Sequence, residues 1–237
     1  AWYRTGAGSR LYGRVGQAFR IPTFADLHFE AAPGVRANAD LETERVVLDA
    51  ELGAEVGRRL GAGDAAVSVA AWRRDTRRPI VWLASSVAVW SPRNLDRLLA
   101  YGLDVDASFA SRNRPGLGWS VDGGVSWQRS RVGFGTNRNP LPYQPDVTGR
   151  LGAELRRGSG ALRLDGRYVG SRTTSLAATR RLSGHVTLDA TLRRGFELGR
   201  VRLDASLAVL NVFDRRYELV ELFPEPGRRF ALTLDIH

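Results

Sequence analysis

The sequence predicts an all-β protein, an antiparallel up-and-down transmembrane β-barrel, of which it supplies about ten strands in an open, curved sheet. Three observations predict it. Apolar and polar residues alternate with a period of two, which puts successive side chains on opposite faces of a strand. The alternating segments run to roughly 10–14 residues, longer than the ~5–6 usual in globular sheets and suited to a tilted membrane span. Short and long connections take turns along the chain, as they do when all tight turns lie at one end of a sheet and all long loops at the other.

The alternation is plainest at 201–209, 185–193, 161–168 and 103–109. Strands are predicted over 9–20, 45–58, 64–76, 97–112, 117–132, 145–157, 160–172, 185–196, 200–213 and 227–237. A further apolar piece at 80–90, with Ile80, Val81, Trp82 and Leu83, reads either as a short strand or as an excursion within a loop. The short connections are 59–64, 113–116, 158–160 and 196–199, and the long ones 21–44, 77–96, 132–144, 172–184 and 214–226. One face collects Leu162, Leu164, Tyr168, Val186, Leu188, Leu192, Val201, Leu203, Leu207 and Val209. The other collects Arg163, Asp165, Arg167, Asp189, Arg193, Arg202 and Asp204, and is expected on the concave side. A soluble β-sandwich would alternate in the same way; strand length and the loop alternation favour the barrel. Helical periodicity is poor throughout.

Composition narrows the function classes. No segment approaches the ~18 consecutive apolar residues of a membrane-spanning helix, which leaves a barrel open. There is no cysteine, so disulfides and thiolate chemistry are ruled out. His28, His185 and His237 are far apart, and no histidine-based metal or catalytic cluster is supported. The net charge is +10, and every basic residue is arginine. These arginines are spread along the chain among 25 Asp and Glu, not gathered into one basic face or tail, which speaks against nucleic-acid binding. On neighbouring strands they suit a lattice of Arg–Asp pairs. Gly6-Ala7-Gly8 lacks the lysine and context of a phosphate loop, and neither a Gly-x-Ser-x-Gly nor a His-Glu-x-x-His motif occurs. An enzyme is not expected, and neither a cofactor nor a metal site is indicated. The first residues read as mid-strand, as in a piece of a longer protein.

Three stretches carry a resemblance. In the first, Phe19-Arg20-Ile21-Pro22-Thr23 closes a strand and is followed by Asp26-Leu27. In the second, Asn38, Leu41 and Glu44 lead into the next strand. The third is Asn211-Val212-Phe213-Asp214 with Tyr217, followed by Pro226-Gly227-Arg228-Arg229-Phe230. Their order and spacing resemble the TonB-dependent outer-membrane receptor family, with Thr43 standing where that family usually has proline. The motif residues also make sense as strand-end devices. Pro22 and Pro226 cost no ladder bond there, and Asn211 and Asp214 can bond nearby backbone.

The resemblance implies that residues 1–237 are the C-terminal part of a 22-stranded barrel in the cell outer membrane, with the N-terminal plug and the TonB box outside this sequence. It implies energy-dependent uptake of a scarce nutrient such as an iron–siderophore or cobalamin. The implied partners are outer-membrane lipid and lipopolysaccharide, the protein's own plug and remaining strands, TonB, and the small-molecule nutrient; nucleic acid is not among them. A plugless, porin-type diffusion channel is the alternative. Ligand contacts are expected from the long loops and the upper lumen, with His28, Phe29, Trp82, Trp90, Arg138, Tyr143 and Phe223 as candidates. For Trp82 and Trp90 an interfacial aromatic belt is an equal reading. In the last strand Phe230, Leu232, Leu234 and Ile236 share a face expected to meet lipid, with Thr233 and Asp235 inward. The next residue of that face would be position 238, where barrels of this family usually end in an aromatic.

Overall fold

The computed structural model describes residues 2–6, 8–29, 34–84, 89–111, 116–134, 137–199 and 201–236; of residues 2–6, 134, 137, 138 and 198 the backbone alone is described. Ala1, His237 and most of the turn expected at 113–116 fall outside these residues. In chain order the elements are β1 (Trp2–Gly6), β2 (Ser9–Arg20), α1 (Phe24–His28), β3 (Glu44–Leu60), β4 (Gly63–Arg77), β5 (Ile80–Ala84), β6 (Trp90–Asn94) and β7 (Arg97–Ser111). They continue with β8 (Gly118–Phe134), β9 (Asn137–Pro140), β10 (Val147–Arg157), β11 (Gly160–Val169), β12 (Arg172–Thr173), β13 (Arg181–Leu182) and β14 (His185–Leu198). The last four are β15 (Val201–Leu210), β16 (Glu218–Val220), β17 (Phe223–Pro224) and β18 (Arg229–Ile236).

One sheet dominates, in the order β1-β2-β3-β4-β7-β8-β10-β11-β14-β15-β18, with β9 paired to β8. Its neighbouring strands are antiparallel. The order does not return on itself, so the sheet is open. The ten predicted strands are β2, β3, β4, β7, β8, β10, β11, β14, β15 and β18, and β1 adds an eleventh at the edge. The apolar piece at 80–90 is the loop excursion: β5 and β6 form a separate hairpin. Two smaller hairpins, β12–β13 and β16–β17, stand in the loops 170–184 and 211–228. The short helix α1 has no counterpart in the sequence reading. Its local cause is a capping box, in which Thr23 accepts from the Asp26 N–H while the Asp26 carboxylate accepts from the Thr23 N–H.

Register turns the alternation into two faces. Leu155, Leu162, Leu192, Leu207 and Leu232 stand opposite one another across five strands, as do Arg163, Thr191 and Ala208 one residue on. A hollow of about 700 Å³ is lined by Arg10, Glu55, Ser68, Asp106, Ser108, Asp122 and Arg150, which come from six successive strands of the sheet. A single hollow can be shared by strands so far apart only on a concave side, so the charged face is the inner one. The outer face is apolar and uncovered: Val125 is 55% exposed and Leu151 60%. Soluble monomers rarely leave contiguous apolar patches above a few hundred Å². Buried hydrophobic side chains are few, namely Ile80, Leu95, Ala100 and Val132 among the described residues. All four lie at the long-loop end, where the β5–β6 hairpin and its flanks meet the inner face alongside buried Thr76 and Ser130.

Candidate functional site

Two surfaces are built well enough to act on a solute. The first is the charged inner wall. Arg10 pairs with Glu55 at 2.5 Å, Arg14 with Glu51 at 2.6 Å and Arg74 with Asp49 at 2.8 Å, each between strands β2, β3 and β4. Further along, two pairs bridge over an intervening strand. Arg150 on β10 reaches Asp106 on β7 at 2.6 Å, and Arg163 on β11 reaches Asp122 on β8 at 3.4 Å. Two strand spacings come to about 10 Å, and a side chain between them would block the path. In each case the middle position is glycine: Gly124 lies opposite both Asp106 and Arg150, and Gly152 lies opposite Asp122. A Cβ on Gly152 would sit 2.6 Å from Arg163 Nη2 and 2.8 Å from Asp122 Oδ1. Asp165 and Asp189 face each other across β11 and β14, but each carboxylate has a donor, Arg163 at 2.8 Å and the Asn211 N–H at 2.7 Å.

The second surface is the layer of long loops. Asp26, 2% exposed, is its first knot. Its carboxylate accepts from Arg20 at 2.8 Å, from the Thr23 N–H at 2.9 Å and from the Trp82 indole at 3.0 Å. Burial works to raise its pKa, but hydrogen bonds from Thr23 and Trp82 and the Arg20 charge outweigh it and hold the carboxyl below the ordinary aspartate value. Glu44 accepts from the Ile80 N–H at 2.8 Å, and Asn38 donates to the Pro92 carbonyl at 3.0 Å. Asn94 and Glu42 exchange two bonds, at 2.7 and 3.0 Å. The described residues of loops 21–43 and 78–96 are thereby tied into one unit. The other three long loops join through Tyr143, whose N–H donates to the Thr173 carbonyl at 2.7 Å, and through Arg172, which donates to the carbonyls of Glu218 and Leu219 at 2.7 and 3.2 Å. Trp90 and Tyr143, with ring centroids 6.0 Å apart, connect the two groups. Burial pushes the Tyr143 hydroxyl up from its ordinary value.

The expected ligand residues therefore fall out in three ways. Trp90 and Tyr143 come together. Trp82 is committed to Asp26, and His28 lies against Phe24 with ring centroids 5.0 Å apart at the end of α1. Phe29, 46% exposed, and Phe223, 68% exposed, stand apart on the surface, and for Arg138 only the backbone is placed, in β9. The motif residues are mostly engaged with backbone and with one another. Asn211, 6% exposed, holds a left-handed φ of 52° and exchanges two bonds of 2.9 Å with the backbone of Arg215. Asp214 accepts from the Arg228 N–H at 2.8 Å, next to Gly227. Tyr217 stacks on His185 at 4.2 Å. Phe213, 66% exposed, and Phe230, 70% exposed, point away from any core, as does Phe19 at 71%. Leu41 and Pro22 are half-buried. Among the described residues no group of three or more His, Asp or Glu is placed to hold a metal.

The sequence reading missed a cluster around Arg172, Thr173 and His185, all buried. No local signal marks it, since burial there comes from loops distant in sequence. It also missed an ordering of the outer aromatics. Tyr101 of β7 lies against Trp127 of β8 with centroids 5.9 Å apart. Eight residues along each strand, Phe109 lies against Trp119 at 4.9 Å. At ~3.4 Å per residue the two pairs are about 27 Å apart along the strands. Between them the outward residues are Leu103, Val105, Ala107, Val121, Gly123 and Val125, with no charge. Outward charge begins with Arg73 and Arg129, both opposite Tyr101, and at the other end Arg194 lies 5.7 Å from the Phe196 ring.

The family profile described as "TonB dependent receptor-like, beta-barrel" matches residues 3–212. Among solved structures, the ferric-catecholate import receptor Fiu from K12 E. coli is 21% identical with a TM-score of 0.69, covering 98% of this chain and 33% of that one. The copper transporter OprC is 16% identical with a TM-score of 0.71, covering 97% and 37%. The pyoverdine outer membrane receptor FpvA from Pseudomonas aeruginosa PAO1, bound to pyoverdine, is 14% identical with a TM-score of 0.67, covering 98% and 34%. No curated protein sequence matches the chain. The chain spans about a third of the length of these solved relatives.

Proposed function

Since the chain belongs to the TonB-dependent receptor-like β-barrel family, we propose that it forms the C-terminal part of the barrel of an outer-membrane receptor for energy-dependent uptake of a scarce nutrient, an iron–siderophore, cobalamin or a similar chelate. The receptor part of this reading rests on the family match over residues 3–212, and the membrane part on two aromatic pairs of β7 and β8 about 27 Å apart along the strands, which bound a charge-free outer band. An outer-membrane barrel needs an apolar belt of ~25 Å flanked by aromatic girdles, and a tilted strand covers it with about this length. The long loops then face outward from the cell, and Trp90, Tyr143 and the charged upper wall are the surfaces a nutrient would meet. The inner lattice of Arg–carboxylate pairs faces a plug and water. TonB coupling belongs to the part of the receptor beyond these residues.

Uptake by cells expressing the full-length receptor, measured with ferric chelates and with cobalamin, tests the proposal. Accumulation that stops when the proton-motive force is collapsed is the expected result. Accumulation that continues without it would establish a passive porin-type channel instead.

A further inference from the structure

Past the aromatic row on the long-loop side, the outer face turns basic in one sector. Arg73, Asp75 and Arg77 of β4 stand opposite Tyr101, Leu99 and Arg97 of β7. Tyr101 and Leu99 in turn stand opposite Arg129 and Arg131 of β8. On β3, Arg45 lies opposite Arg77, with Phe19 of β2 on its other side. Residues directly opposite share a face, so six arginines and one aspartate lie outward with Tyr101. Arg45, Arg73, Arg77, Arg97 and Arg129 are exposed. Asp75, 7% exposed, is bound to Arg97, whose Nε donates to it at 2.7 Å. Among the described residues no carboxylate is within ion-pair distance of the other five arginines. The rest of the sheet is different at this end. Within β10, β11, β14, β15 and β18 the outward residues nearest the long loops are Val147, Tyr168, Val186, Val209 and Phe230.

Like charges directly opposite one another destabilise a sheet, and Arg45, Arg77 and Arg97 form such a row beside a single carboxylate. Lying in a bilayer does not by itself demand this, since five strands of the same sheet do without it. A discrete anionic partner on this sector relieves the repulsion. The row lies about 14 Å past Tyr101 along the strand, at ~3.4 Å per residue, and less in height because barrel strands are tilted. That is the depth of lipid headgroups, outside the hydrocarbon that the aromatic row bounds. A nutrient passes through the loops and the lumen and does not meet this outer surface. Guanidinium forks match phosphate oxygens, and a headgroup layer gives each basic residue an anion to pair with. The patch crosses four strands, about 14 Å, which is broader than one phosphodiester needs and suits a lipid with several phosphates. We propose that Arg45, Arg73, Arg77 and Arg129 form a docking site on the outer wall for the phosphate groups of a lipopolysaccharide molecule, with the Asp75–Arg97 pair at its centre. The choice of this lipid rests also on the outward placement of the long loops proposed above.

Fluorescently labelled deep-rough lipopolysaccharide, titrated into the full-length receptor in a nonionic detergent, tests the proposal. Heat-modifiable gel migration checks that each protein is folded. Saturable binding is expected, and it should weaken at least about tenfold when the lipopolysaccharide is first dephosphorylated. R73Q/R77Q, which leaves the Asp75–Arg97 pair in place, should weaken it about tenfold and R129Q several-fold. R194Q, at the opposite end of the outer face, should leave it unchanged. If R73Q/R77Q fails to fold, R129Q and the dephosphorylated lipid still decide. Absence of saturable binding, binding indifferent to the phosphates, or binding that survives both R73Q/R77Q and R129Q overturns the proposal. So does equal competition by phosphatidylglycerol, which would make the patch a general anionic-lipid surface. Transport is not read in this experiment. A receptor that accumulates nutrient only when energised but ignores lipopolysaccharide would sink this proposal alone. Passive flux through a receptor that binds the lipid by these arginines would sink only the uptake reading.

Discussion

At single positions, the wall and the loops depend on residues whose neighbours fix what can stand there. Gly152 is glycine because Arg163 and Asp122 meet above it. Gly152→Val is expected to push that pair apart, and a double-mutant cycle on Asp122 and Arg163 should then lose its coupling. An exposed pair is worth only ~0.2–1 kcal/mol, so the loss should be of that order and shrink in high salt. Asn211 is held in place by its φ of 52° and by three short bonds to backbone and Asp189. Asn211→Ala is expected to cost about 2–3 kcal/mol in denaturant unfolding, combining lost bonds with left-handed strain. Asn211→Gly should recover the strain alone. Asp26 makes the loop layer pH-dependent. Its folded pKa lies below its ordinary 3.8, so its contribution is fully present above about pH 4 and is lost as pH falls through the lower, folded value. Hydrogen exchange at residues 22–27 and 80–83 should therefore stay slow down to about pH 4 and quicken below it, and Asp26→Asn should flatten that acid limb. Of these residues the sequence made Asn211 and Asp214 legible, because an Asx side chain at a strand end signals its own local bonds. It was silent on Asp26 as a buried knot and on Arg172, because their partners arrive from loops tens of residues away.

Among the elements, strands were the legible part. A period of two is a local property, and the predicted limits fall close to the observed ones: 64–76 against Gly63–Arg77, and 185–196 against His185–Leu198. The loops were legible only in length. Whether 80–90 is a strand of the sheet or part of a hairpin beside it depends on Glu44 and Asn38 reaching that hairpin from elsewhere. The five-residue helix α1 is too short for periodicity to register. Aromatic ordering was hidden for another reason, since a row forms only once register is fixed between strands. The two faces make a sharp prediction. Val105 faces outward at mid-band on β7, and Ser126 faces inward on the neighbouring β8. In the full-length receptor folded into liposomes, Val105→Arg should cost about 2–4 kcal/mol in unfolding by denaturant. Ser126→Arg meets an aqueous, acidic wall and should cost well under half of that. Equal costs would mean that the outer face does not lie in hydrocarbon.

The whole sheet cannot satisfy itself. β1 and β18 each pair on one side only, through β2 and β15. Each edge presents a row of unpaired N–H and C=O groups, tolerable in water but costing several kcal/mol per group in a bilayer. The outer apolar face adds a second demand, since it stays exposed unless lipid covers it. Lipid can cover the face only if the edges are closed, so the two demands have one joint solution: further strands must complete the ring. The solved relatives carry about two-thirds of their length beyond the matched part, ample for a closing set. Residues 1–237 produced alone and offered to detergent or liposomes should therefore give no heat-modifiable monomer and should self-associate through the bare edges. Refolding them together with the remainder of the receptor, supplied as a separate polypeptide, should yield a heat-modifiable complex containing both pieces. A stable, heat-modifiable monomer formed by residues 1–237 alone would mean that the edges find each other, and the open order seen here would then be one state of a small closed barrel.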